Sequence, residues 1–319
     1  MVQDYIPFCC GWCNWWVSRD PVDEDHIGGV LKAIVDQPLA GLSFGDVWFN
    51  GWKHLVQAAN ELDILGAYHG ELFTQWLQTQ VWNQAFADGP VRLTDPPTRV
   101  KLADGLVLTV LGPPAERLAD YRNTWRAEVL TAIAKGRLDA DDVAPSTEEL
   151  GLEAMGALVL SDRTDLKALA SKATKLDDSK ANASSINLLL EYRGHRLLLS
   201  GDAFAEDIVA GLRTLGELPI ALTAFKLPHH ASHGNVTRAL IDAVRCEDWL
   251  ISTSGESHRH PHPPAIARVL HHTSAAHTRL HFNLRSDENA IWDRNDWRQR
   301  FGYSTRYGDD ADGLTLRWD

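Results

Sequence analysis

The chain has 319 residues, 44% of them hydrophobic, and a formal net charge of -12. That length can bury a full core within one layered α/β domain, and that charge leads us to expect no broad basic face for nucleic-acid phosphate, unless positive charge is focused locally or a metal is carried. No apolar run is long enough to span a bilayer, no basic segment leads into a signal-peptide core, and three of the four cysteines crowd between Cys9 and Cys13 rather than forming a disulfide framework; the expectation is a cytoplasmic protein with no membrane partner.

Residues 1–20 make an atypical start. Pro7 to Trp16 mixes cysteine and tryptophan with no clear period, and Cys9 and Cys13 lack a second Cys/His pair at zinc-finger spacing. This favours an apolar strand or a poorly ordered start. Asp23-Glu24-Asp25-His26-Ile27-Gly28-Gly29 then runs into Val30-Leu31-Lys32-Ala33-Ile34, an acidic loop opening a helix with its carboxylates at the positive end of the dipole. Residues 46–50 read as a short strand, 71–77 as helix, and 106–111 as a buried strand stopped by Gly112-Pro113-Pro114. Trp48, Trp52, Trp76 and Trp82 have the spacing of core residues more than of a pocket lining. A helix is expected over 115–135. Residues 136–181 are charged and weakly patterned, a surface insertion with helical pieces and a mobile stretch near Ser171–Ala181.

The most regular text follows. Strands over 185–192 and 195–200 flank Arg193-Gly194, which predicts a hairpin, and the second strand ends at Gly201-Asp202. A helix begins near Ala205. A strand over 222–227 ends in Pro228-His229-His230, an amphipathic helix covers 236–245, a strand covers 249–252, and a helix runs from Pro263 to His271 with proline in its first turn. Alternating strands and helices predict a layered α/β fold.

Metal-type ligands stand at three separated points: Asp23, Asp25 and His26; Asp202; and His229 with His230. Carboxylate with imidazole is the ligand mix for zinc, manganese or iron. Gly-Asp after a strand is usually a turn and His-His is usually solvated, so the weight lies in their co-occurrence at strand ends, where α/β sites assemble. His229, His230, His233, His258, His260 and His262 also fall in one short region among 14 histidines.

These segments resemble the metal motifs of the metallo-β-lactamase superfamily. The carriers are Asp23 to Gly29, Asn182-Ala183-Ser184-Ser185, Leu198 to Asp202, Lys226 to Ser232, and Gly255 to Pro263. Together they are similar to the stand-alone branch related to the hydrolase domain of the competence protein ComEC, over roughly residues 21–290. The resemblance implies one domain over 1–319, a four-layer αββα sandwich, and one or two Zn2+ ions, with Mn2+ or Mg2+ as alternatives. It implies a metal-bound hydroxide that attacks an ester-type bond, foremost the phosphodiester of a small molecule, nucleotide or nucleic acid. By the same resemblance Asp25, His26, Asp202 and His229 form one metal position, with His230 the second choice for the histidine. Asp23 and the Asn182–Ser185 stretch stand where histidine ligands are otherwise found, and Pro21 replaces a first histidine. Asp25 is further expected to orient the attacking water, and His260 or His262 to protonate the leaving oxygen, the alternative for these histidines being a solvated, proline-rigidified loop; Asn182, Ser185, Ser232 and His262 are the expected substrate contacts. Only twenty residues precede the first motif, so the first sheet is expected to be incomplete. Pro21 and that short start support the alternative of a degenerate fold kept as a binding module.

Overall fold

The computed structural model describes residues 44–51, 54–55, 73–74, 76–134, 161, 164–255, 258–273, 277–309 and 313–318. Asp23, Asp25, His26, Pro21, Trp52 and the N-terminal cysteines lie outside the described residues.

The described chain is α/β, built on one mixed eight-stranded sheet. In chain order its first half contributes β1 (Arg99–Lys101), β2 (Val107–Gly112), helix α1 (Ala115–Ala134), and short helices α2 (Leu166–Ala170) and α3 (Lys180–Ala183). The hairpin β3 (Asn187–Tyr192) and β4 (His195–Leu199) follows, then α4 (Ala205–Arg213), β5 (Ile220–Ala221) and β6 (Ala224–Lys226). Next come α5 (Arg238–Asp242), β7 (Val244–Arg245), β8 (Asp248–Ile251) and α6 (Pro263–His272). The chain closes with β9 (Thr278–Phe282), α7 (Asp287–Ala290), α8 (Asn295–Phe301) and β10 (Tyr303–Tyr307). The sheet order is β1-β2-β3-β4-β6-β8-β9-β10, with β5 and β7 forming a separate pair. Strands β1 to β4 are antiparallel neighbours, whereas β4, β6, β8, β9 and β10 run parallel.

Local chemistry accounts for these elements. Arg193 (φ 47°) and Gly194 (φ 85°) place two left-handed residues at the hairpin tip, the turn whose twist matches paired strands. Glu206 and Asp207 occupy the first turn of α4, where the dipole favours carboxylates, and Arg117 of α1 holds both. Asp165, Ser179 and Thr237 accept backbone N–H groups at the starts of α2, α3 and α5.

Three expectations change. Residues 46–50 do not form a ladder: only Val47 bridges Trp82. Side chains take over the pairing there, since the Asn50 amide exchanges two hydrogen bonds of 2.8 Å with the Val91 backbone and Asp46 accepts from the N–H groups of Gln84 and Ala85. The strand expected over 222–227 is split, because the chain leaves β7 and joins β4 at Thr223, which exchanges hydrogen bonds with the Arg196 backbone. The helix expected over 236–245 ends at Asp242, and Val244 and Arg245 turn to pair with β5.

Alternation along each strand builds two cores. Leu189, Leu198, Phe225, Trp249, Ile251, Leu280 and Phe282 face Ile208 and Leu212 of α4, Leu240 and Ile241 of α5, and Ile266 and Val269 of α6. Leu188, Leu190, Leu197, Leu199, Ala224 and Leu250 form the second core with Trp48 and Val91, and Leu316 and Trp318 from the C-terminal segment pack against it. The central strands are thus buried on both faces, as parallel strands generally are. Each fully buried large side chain contributes about 1.5–3 kcal/mol. Trp48 and Trp82 are core residues, as their spacing suggested.

Candidate metal centre

The parallel part of the sheet begins at β4 and β6, and their C-terminal ends lie side by side. Gly201-Asp202 leaves β4, and Pro228-His229-His230 leaves β6. A hydrogen bond of 3.1 Å from the His229 N–H to the Gly201 carbonyl ties the two loops together. Crevices outside the carboxyl ends of strands are the usual binding places of such sheets. The turn after Pro228 is strained: His229, His230 and Ala231 have φ of 46°, 51° and 63°, left-handed values that side-chain-bearing residues adopt at a cost.

Asp202 is fully buried and His229 one-fifth exposed, and His229 Nε2 lies 3.4 Å from Asp202 Oδ2. On the other edge of the ring, His229 Nδ1 lies 3.1 Å from Asp177 Oδ2 and 3.0 Å from Asn235 Oδ1. Asn235 Nδ2 donates to Asp177 Oδ2 at 2.9 Å and to the carbonyls of Asp202 and Ala203 at 3.1 and 3.3 Å. Asn182 Nδ2 also donates to Asp177 Oδ2, at 2.8 Å. Burial opposes ionisation of Asp177, but hydrogen bonds from His229, Asn182 and the Ser179 N–H hold its pKa below the ordinary carboxylate value.

The remaining candidates are placed as follows. His230 donates from Nδ1 to the Ser252 carbonyl, which leaves Nε2 as its other ring nitrogen. His260 is buried, with its ring centroid 5.4 Å from that of His229 and 5.8 Å from that of His230. His262 packs against it at 4.5 Å, and His233 against His262 at 4.4 Å. Burial, reinforced by neighbouring imidazoles, pushes His260 well below the usual histidine range; burial and His233 bring His262 down to about 4. Both shifts favour the neutral ring. His258 is exposed. Asn182 and Ser185 are buried beneath the site: Asn182 braces Asp177, and Ser185 Oγ accepts from the Asp202 N–H at 3.2 Å. Ser232 is buried and its Oγ accepts from the Gly234 N–H.

Three residues that the sequence reading left aside belong to this centre: Asp177, Asn235 and Arg268. Asp177 falls in the stretch expected to be mobile, yet that stretch is fastened. The Arg268 guanidinium, buried on α6, donates to the carbonyls of Ala170, Lys172, His233 and Val236 and to Thr174 Oγ1. The chain also lies hard against Gly234, where a Cβ would sit 3.0 Å from both the Asp177 nitrogen and the Lys175 carbonyl oxygen. The available signal for Arg268 was a cation in the apolar run Ala265-Ile266-Ala267-Arg268-Val269, which has to find acceptors when buried.

As a metal site these residues fit in part. Asp202 and His229 bring a carboxylate oxygen and an imidazole nitrogen to one buried point, the donor chemistry of zinc or manganese. Among the described residues no three His, Cys, Asp or Glu side chains are grouped to hold an ion, and Asp23, Asp25 and His26 are outside them. No described helix is long and apolar enough to cross a membrane. No protein-family model, curated protein or solved structure matches the chain.

Proposed function

We propose that the chain is a divalent-metal hydrolase of the metallo-β-lactamase fold, acting on an ester-type bond of the phosphodiester class. The observation that carries this reading is the approach of His229 Nε2 to the buried Asp202 carboxylate at 3.4 Å, from adjacent strand ends. A buried carboxylate beside an imidazole nitrogen is satisfied either by a proton on Nε2 or by a shared cation, and the placement at two strand ends favours the cation. The order of hairpin, Gly-Asp loop, helix, parallel strand and His-His turn supports the same reading.

Asp202 and His229 would hold the ion, with Asp23, Asp25 and His26 as the remaining donors implied by the motif resemblance. Zinc suits the imidazole, and manganese or magnesium the oxygen-rich remainder. When bound, a divalent ion lowers the pKa of water to about 7 and polarises the scissile group. The protein's own part is rigidity: the Asn235 amide ties the Asp202 backbone to the His229 ring. Local positive charge at this point also offsets the net charge of -12 toward an anionic substrate.

Metal analysis of the purified protein tests the reading. At least one equivalent of zinc or manganese, lost in Asp202→Ala, and turnover of bis(p-nitrophenyl) phosphate in preference to a thioester or a lactam are expected. Protein that holds no metal and folds unchanged in a chelator would instead be a binding module on the same fold.

A further inference from the structure

We propose that Asp177 is a positioning residue: with Asn235 it fixes the proton of His229 on Nδ1 and reserves Nε2 for the site. The inference rests on the metal-site reading of Asp202 and His229, and extends it to residues that no motif identifies.

The argument starts from Asn235. Its Nδ2 faces three oxygens, Asp177 Oδ2 at 2.9 Å, the Asp202 carbonyl at 3.1 Å and the Ala203 carbonyl at 3.3 Å. Only the amino end of the amide can serve three acceptors, so the orientation of the side chain is determined. Its Oδ1 then points at His229 Nδ1 from 3.0 Å; an oxygen that close places the proton on that nitrogen, against the longer 3.4 Å approach of the Asn182 amide nitrogen. Asp177 Oδ2 is a second acceptor at the same proton, 3.1 Å away. His229 Nε2 then faces Asp202 Oδ2 at 3.4 Å, and with the proton on Nδ1 it is the ring nitrogen able to ligate. A carboxylate behind a ligating imidazole both selects the tautomer and makes the ring a stronger donor.

Asp177 is itself well placed for this. Its Oδ2 receives Asn182, Asn235 and His229, and its Oδ1 receives the Ser179 N–H at 3.0 Å. Its side chain is 9% exposed, although the chain on either side is at the surface. Arg268 and Gly234 hold that chain against the His229 turn.

The test is 15N–1H correlation of histidine rings in the metal-free protein, alongside Co2+ titration in competition with a chelator. In the parent protein the His229 proton should be found on Nδ1. Asp177→Ala should move His229 to a mixture of tautomers and weaken Co2+ binding by about 10- to 100-fold. Should Asp177→Ala fail to fold, Asp177→Asn keeps the shape and one acceptor oxygen; it should retain the Nδ1 proton but still bind Co2+ several-fold more weakly. A proton on Nε2 in the parent protein, or Co2+ affinity unchanged in the variant that folds, overturns the proposal. If the parent protein binds no metal yet shows the Nδ1 proton, and Asp177→Ala disperses it, the positioning role stands and the hydrolase reading falls.

Discussion

His229 Nε2 and Asp202 Oδ2 stand 3.4 Å apart at the ends of two neighbouring parallel strands, and the Asn235 side chain touches both the His229 ring and the Asp202 backbone. This relation makes the carboxylate expensive, because Asp202 is fully buried and a buried charge loses its hydration. Asp202→Asn keeps the volume and removes the charge. The metal-free variant is expected to melt at the same temperature as the parent or higher, while Zn2+ affinity drops by about 100-fold or more. Calorimetric titration and thermal melting in chelator check the two halves separately. A large loss of stability without loss of affinity would make Asp202 a structural residue.

Arg268 satisfies four main-chain carbonyls from two stretches of chain. Arg268→Met fills similar space but leaves those carbonyls without their donor. A loss of about 3 kcal/mol is expected in urea unfolding, together with faster proteolysis within 171–177. Arg268→Lys should not restore stability, because an ammonium group cannot span acceptors in fork geometry.

Asp248 anchors a polar cluster on the second face of the sheet. It accepts from Arg279 at 2.6 and 2.7 Å, from His281 Nε2 at 2.6 Å and from the Trp318 indole at 3.2 Å. Burial opposes the charge, but these donors hold the Asp248 pKa well below the ordinary carboxylate value. A depressed folded pKa means that the unfolded chain takes up the proton first as pH falls. The stabilisation is therefore complete above the ordinary value of about 4 and fades below it. Asp248→Asn should cost about 2 kcal/mol at pH 7, and the gap between variant and parent should narrow as unfolding is repeated from pH 5 toward pH 2. A constant gap would remove Asp248 as the cause.

Gly211 brings α4 onto β2. A Cβ there would lie 2.2 Å from the Leu111 carbonyl oxygen and 2.9 Å from the Leu111 side chain. The clash is with backbone in the sheet, which cannot swing aside. Gly211→Ala should cost about 3 kcal/mol or more, whereas alanine at Gly216, with nothing within 4 Å, should cost only the strain of its positive φ. Paired denaturant curves compare them.

The hairpin, the strand after it and helix α6 were legible because leucine-rich runs, Arg193-Gly194 and Pro263 mark their limits locally. The placement of Asp202, His229 and His230 just past strand ends was legible because the apolar runs stop there. Asp177 and Asn235 were not, since each acts through single polar contacts, 52 and 58 residues apart in sequence, that leave no periodic trace. The split at Thr223 was also hidden: Leu222 to Leu227 reads as one apolar run, and only the change of partner from β7 to β4 divides it. Helices α7 and α8 with strands β9 and β10 lie largely beyond the motifs, in text where arginine and tryptophan alternate without a clear period.

The reach of Arg268 has a consequence in time. Its bonds to the Ala170–Thr174 stretch span 94 to 98 residues, so the loop they close is among the costly ones to form. A ribosome releases Asp202 and His229 before α6 exists. Until that helix docks, the Asp177 segment behind the His229 ring lacks its Arg268 fastening. On the proposed metal reading, capture would be a late event of folding: protein unfolded in chelator and refolded should bind added Co2+ only after α6 has closed over the Asp177 segment.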